Sequence, residues 1–175
     1  MIFFPKPVSC HSIRPLVEPS CRLIHAIRKC TIQSPVQPGQ HAEMERSFTQ
    51  HDVAQYAVLI QDPNPLHASV IDRHRHPLYR RNARQSSDGG TIVHGMLVAG
   101  LFGSIVGTII PQAVYLTQNI TFQRPVFTND LLIARIEVLA IQGGQMTCQT
   151  TVNDRQTNQL VVDGQASVWI PREFR

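Results

Sequence analysis

The body of this chain is short of cysteine. Three of its four cysteines, Cys10, Cys21 and Cys30, fall within the first 40 residues, which leaves Cys148 alone in the remainder. No pair stands at metal or redox spacing, so neither a disulfide framework nor a zinc site is indicated. Acid is scarce in the same front segment. Residues 1–40 hold five of the 16 basic side chains (Lys6, Arg14, Arg22, Arg28 and Lys29) and one of the 12 acidic ones, Glu18. Eleven of each sign remain for residues 41–175, a neutral body. The formal charge of +4 therefore belongs to the front segment, and nucleic-acid binding by the body loses its electrostatic support. A membrane-length run is lacking too. The apolar stretch His94–Ile110 would rise about 25 Å as a helix, short of a bilayer core, and four glycines and Pro111 weaken that reading further. No internal repeat is present.

That apolar stretch, HGMLVAGLFGSIVGTII, organises the rest. It carries no charge, and a helix apolar on every side belongs inside a protein. Gly95, Ala99, Gly103 and Gly107 follow one another at i, i+4, so one stripe has almost no side chain. Each interior glycine costs about 1 kcal/mol of helix propensity. A sheet curled closely around the helix would give a reason to tolerate that cost.

The front segment is acid-poor, carries scattered basic residues, serines and a threonine, and has no apolar run of secretory length. It reads as a mitochondrial presequence, or else as a disordered tail. Ser34–Gln40, SPVQPGQ, reads as a linker, which sets the expected domain at 41–175. Within it, Met44–Phe48 is expected as a first strand, followed by a helix capped by Thr49 with Asp52 in its first turn. Val53, Tyr56, Ala57 and Ile60 give that helix one apolar face to about Gln61, where Pro63 and Pro65 stop it. The stretch 62–93 shows little periodicity. It includes Arg73, Arg75, Arg80, Arg81 and Arg84 with no acid among them, an excursion long enough to suggest function. Beyond the central helix, strands are expected over 113–123, 130–141, 145–153 and 160–170, with Gly143-Gly144 and 154–158 as turns. Helix, long loop, buried helix and antiparallel meander make an α+β domain, its sheet wrapped on one helix.

Asp62 and His67 are the candidate chemistry. Imidazole titrates near neutrality, and a nearby carboxylate can share or orient a water, which suits general acid–base work. An Asp cap and a turn histidine would read the same way from composition, and Asn64 between them is a turn residue by default. His94 and Gly95 open the central helix, whose first N–H groups are free to bind developing negative charge. A water activator and an oxyanion donor together suit chemistry beside a carbonyl.

YAVLIQDPNPLH, IVHGML and YLTQNITFQRPVFTND resemble the MaoC-like (R)-specific enoyl-CoA hydratases and 3-hydroxyacyl-thioester dehydratases, hydro-lyases of the hot-dog fold, over residues 46–172. The resemblance implies a single hot-dog domain, a curved antiparallel sheet around a long central helix, and a homodimer. It also implies reversible syn hydration of a trans-2-enoyl thioester to the (R)-3-hydroxyacyl thioester. Asp62 and His67 then match the water-holding positions, Asn64 and His94 supporting ones, and Gly95 the glycine whose N–H polarises the thioester carbonyl. No metal or other cofactor is implied. Two departures stand out: Gln61 replaces a common glycine before the aspartate, and the segment between His67 and His94 is long and arginine-rich. Arg80, Arg81 and Arg84 either rim the entrance for an anionic carrier or form a solvated loop.

Taken together, these features point to a mitochondrial dehydratase of fatty acid synthesis acting on acyl-carrier-protein- or CoA-linked substrates. The alternatives are an (R)-specific enoyl-CoA hydratase using CoA esters, a hot-dog thioesterase, and a non-catalytic acyl-thioester-binding subunit. A thioesterase has no need of the D-x-N-P-L-H arrangement. A non-catalytic subunit has no reason to keep Asp62, His67 and Gly95 together.

Overall fold

The structure, a computed structural model, describes residues 27–69 and 90–175. Residues 1–26 of the presequence reading, and the arginine cluster Arg73, Arg75, Arg80, Arg81 and Arg84, lie outside the described residues. Six strands form one antiparallel sheet in the order β1-β2-β4-β5-β6-β3. They are β1 (Ile27–Cys30), β2 (His41–Arg46), β3 (Val114–Phe122), β4 (Leu132–Gln142), β5 (Gln145–Asp154) and β6 (Leu160–Trp169). Two helices, α1 (Gln50–Ile60) and α2 (Gly95–Ile109), precede β3. This is the α+β arrangement expected, with α2 packed on the sheet.

The core follows from period-two alternation. Leu132, Ala134, Ile136 and Val138 of β4 and Met146, Cys148, Thr150 and Val152 of β5 all point inward and are buried. Val98, Leu101, Phe102, Ile105 and Val106 of α2 meet them. Thr150 is the polar member of that row, and its hydroxyl accepts from Gln118 at 3.0 Å, which satisfies the buried group. Gly143 and Gly144 both take positive φ, 60° and 85°, as a two-residue hairpin between β4 and β5 demands.

Three expectations change. The domain begins earlier than residue 41, because β1 pairs with β2 and Ile32 and Val36 are buried in the core. Both apolar residues border or fall within the stretch read as linker, and their burial makes 31–40 a packed connection. The strand expected at Met44–Phe48 sits earlier, as β2 at His41–Arg46, where all six residues pair with β4. The small-residue stripe of α2 divides: Ala99 is buried and Gly95 lies against Phe122 of β3, but the last two glycines face away from the sheet. Gly103 and Gly107 are exposed, and a Cβ added at either would meet nothing within 4 Å. Along the body of the helix, apolar side chains make the contact with the sheet, since burying large apolar groups is strongly stabilising.

β3 also departs from simple alternation. A bulge between Tyr115 and Thr117 inserts one residue and reverses the parity. Tyr115 and Ile120 therefore both pack on the core, while Val114 and Leu116 remain exposed. Among the described residues, no helix is long and apolar enough to cross a membrane.

Candidate active site

Three segments converge at the N-terminal end of α2. The first is the end of α1. Thr49 caps its start in a reciprocal box, accepting from the Asp52 N–H while Asp52 accepts from the Thr49 N–H. At the other end Gln61 takes the left-handed conformation, φ 56° and ψ 43°, and its N–H closes on Ala57 and Val58. Glycine is the usual residue there because it has no Cβ penalty. Gln61 makes the same turn, so the departure from the family pattern leaves the helix stop intact.

That turn delivers Asp62. Its Oδ1 accepts from the Asn64 N–H at 2.9 Å, and the Asn64 Oδ1 accepts in turn from the Leu66 N–H at 3.1 Å. These two Asx turns lead into a single 3-10 turn, Pro65–His67. Asn64 thus supports the site by shaping the loop, its side chain engaged with backbone.

The second segment is Thr91–Val93. Here Ile92 forms an isolated bridge with Phe127. The Ile92 N–H donates to the Leu66 carbonyl at 3.3 Å, and the Ile92 carbonyl lies 2.7 Å from His67 Nδ1. A carbonyl only accepts, so Nδ1 carries a hydrogen, and in the tautomer with its hydrogen on Nδ1 the ring offers Nε2 as an acceptor. His67 Nε2 stands 3.8 Å from Asp62 Oδ2.

The third segment is the start of α2. His94 is the N-cap but gives no side-chain cap. The Gly95 and Met96 N–H groups accordingly have no intrahelical acceptor. A Cβ on Gly95 would come within 2.8 Å of the Phe122 ring, so only glycine lets the aromatic lie against this helix end. His94 itself is 4% exposed, stacks on His67 with centroids 3.6 Å apart and planes 20° apart, and meets the Tyr56 ring edge-on at 5.0 Å. Burial pushes its pKa below the ordinary value and neighbouring His67 adds to that, with Asp62 opposing. The imidazole of His94 is therefore held neutral.

A carboxylate and two imidazoles within 4.8 Å of one another form a donor set that divalent metals use. The ring geometry does not suit one ion. Nearly parallel rings 3.6 Å apart cannot aim both lone pairs at a common point about 2 Å away.

The structure thus brings Asp62, His67, His94 and Gly95 together and sets Asn64 behind them. The sequence reading missed Phe122 and Tyr56 as site neighbours. Tyr56 stood only as a core position of α1, and Phe122 only as part of the strand expected over 113–123. Ile92, whose backbone fixes His67, carries no side-chain signal at all.

The MaoC like domain family matches residues 31–159. The chain is 35% identical to an (R)-specific enoyl-CoA hydratase of Aeromonas caviae over 136 residues, 76% of this chain and 94% of that protein. It is 29% identical to a mitochondrial 3-hydroxyacyl-[acyl-carrier-protein] dehydratase of Solanum lycopersicum over 136 residues, 76% of each chain. Among solved structures, the (R)-hydratase of A. caviae involved in PHA biosynthesis superposes with a TM-score of 0.62 at 34% identity, covering 78% of this chain and 98% of that one. With its hot-dog arrangement and the D-x-N-P-L-H and HG segments at one locus, this chain belongs to the MaoC-like domain family.

Proposed function

We propose that this chain interconverts an (R)-3-hydroxyacyl thioester and its trans-2-enoyl thioester by reversible syn loss and addition of water, as the dehydratase of mitochondrial fatty acid synthesis. The observation that carries it is the pair of facing acceptors. Asp62 Oδ2 and His67 Nε2 stand 3.8 Å apart, too far for a direct hydrogen bond, and a water donating to both bridges them. In hydration the water oxygen forms a bond to C3 of the substrate. The C2–C3 π pair moves towards the thioester carbonyl, whose growing charge the Gly95 N–H stabilises. One water proton passes to the Asp62/His67 pair and is returned to C2, so the pair ends as it began. Dehydration runs the same steps in reverse.

The 35% identity to a CoA-dependent hydratase favours a second reading, an (R)-specific enoyl-CoA hydratase with the same residues and chemistry. The acid-poor front segment and the mitochondrial dehydratases of S. lycopersicum and Arabidopsis thaliana support the mitochondrial reading. Since β1 begins at Ile27, a removable presequence is confined to the residues before it. A homodimer fits the exposed apolar surface. Among the described residues β3 is an edge strand that pairs with β6 alone, and Val114 and Leu116 stay exposed there. Val58 and Leu59 at the end of α1 are 79% and 78% exposed. Edges of this kind are normally covered.

The deciding assay follows loss of the conjugated enoyl absorbance on matched CoA and acyl-carrier-protein thioesters. Faster turnover of the carrier-protein thioester supports the dehydratase, and preference for CoA supports the second reading. No turnover on either refutes both.

A further inference from the structure

His94 holds an unexplained pair of atoms. The side chain is buried, yet neither Nδ1 nor Nε2 has a hydrogen-bond partner among the described residues. An unpaired buried polar atom costs about 1–3 kcal/mol, so a site that keeps one invites a ligand. The position of Nε2 says which. It lies 3.5 Å from Asp62 Oδ2, too long for a bond, and the facing carboxylate favours the tautomer with hydrogen on Nε2. Asp62, His67 and His94 each place one polar atom within 4.8 Å of the others. A point about 2.8 Å from all three lies between the two ring planes, at an out-of-plane angle that a hydrogen bond to water tolerates and a metal–nitrogen bond about 2 Å long does not.

Resting on the hydratase reading above, we infer that His94 is a third water-holding residue of this site, its Nε2–H donating to the water that Asp62 and His67 bind. The roles then add up. The water gives one hydrogen to Asp62 Oδ2 and the other to His67 Nε2. One of its lone pairs accepts from His94, which leaves the second directed at C3. His94 transfers no proton and is neutral before and after the step; it fixes the direction of attack. Its stack on His67 and the Tyr56 edge hold the ring in place.

The inference separates a donor from an aromatic spacer, and two substitutions in the full chain distinguish them. His94→Phe keeps a flat ring for the His67 stack and removes the donor. His94→Gln removes the ring and brings an amide N–H to about the place of Nε2. With trans-2-butenoyl-CoA as substrate, His94→Phe is expected to lower kcat by about 10–100-fold with KM nearly unchanged, the scale of losing one positioned donor. His94→Gln is expected to recover a large part of that loss. Wild-type kcat in a folded His94→Phe, or His94→Gln no better than His94→Phe, overturns the inference. Should His94→Phe not fold, His94→Asn replaces it, because its shorter amide reaches the Nδ1 position only; activity at or above that of His94→Gln overturns the inference. The parent reading fails differently, through a wild-type chain without turnover on any enoyl thioester, and this inference then falls with it.

Discussion

The first turn of α2 and the rest of the helix obey opposite rules. From Val98 to Val106 the helix is satisfied: its aliphatic side chains are buried against the sheet and its backbone is bonded within itself. At His94–Gly95 the carbonyl of His94 accepts from Leu97 and Val98, but other groups there are not satisfied. The cap side chain bonds no backbone, the imidazole nitrogens lack partners, and glycine leaves room for the Phe122 ring. The body of the helix holds the fold, and its N-terminal turn leaves hydrogen-bonding groups unpaired among the described residues, where the proposed chemistry would use them. Substitutions in the two regions should accordingly separate stability from activity.

The largest effect is expected in the helix body. Phe102 is 1% exposed, and Phe102→Ala should lower unfolding free energy by about 3–5 kcal/mol, read from denaturant melts. At the site the order reverses. Asp62→Asn and His67→Ala should each lower kcat by roughly 100-fold or more while the melting curve barely moves. Either variant keeping near-full hydration activity, once shown to be folded, would remove the residue from the mechanism.

A third test draws the contrast through pH. His94 has its pKa lowered from the ordinary 6.5, by burial first and His67 second. The unfolded chain then binds a proton at this position more readily than the folded one. The associated stability is complete above about pH 6.5 and is lost as pH falls below it towards the lowered value. Melts at descending pH should show that decline, and His94→Phe should flatten it.

Gln61 gives a smaller and opposite effect. Its left-handed φ of 56° costs a non-glycine residue roughly 1 kcal/mol, so Gln61→Gly should stabilise the chain by up to about 1 kcal/mol. A destabilised variant would show that the Gln61 side chain contributes contacts that outweigh the strain. Smallest of all is the charge effect of Arg80, Arg81 and Arg84. Their joint replacement by alanine should lower kcat/KM more than kcat at low salt, with the gap closing as ionic strength rises. Equal kcat/KM at low salt would make the segment a solvated loop.

Much of this molecule was readable one element at a time. The Thr49 cap, the Gly143-Gly144 hairpin, the alternation of β4 and β5 and the apolar run of α2 each follow from chemistry within a few residues, where backbone geometry and hydrophobic period act directly. The pairing of Asp62 with His67 was legible for the same reason, since five residues and two prolines span it. What lay beyond local reach was decided by tertiary structure. His94 comes to Asp62 only because Ile92 bonds both Leu66 and His67 across 25 or more residues. Phe122 reaches Gly95 through the packing of β3, whose parity a bulge reverses. β1 joins the sheet because β2 offers it an open edge. Backbone hydrogen bonds between distant segments depend on register and leave no side-chain pattern. For that reason the sequence by itself indicated the two helices, the β4-β5-β6 run of hairpins and the closeness of Asp62 to His67, while the tertiary structure decided what surrounds them, including the place of β3 beside β6.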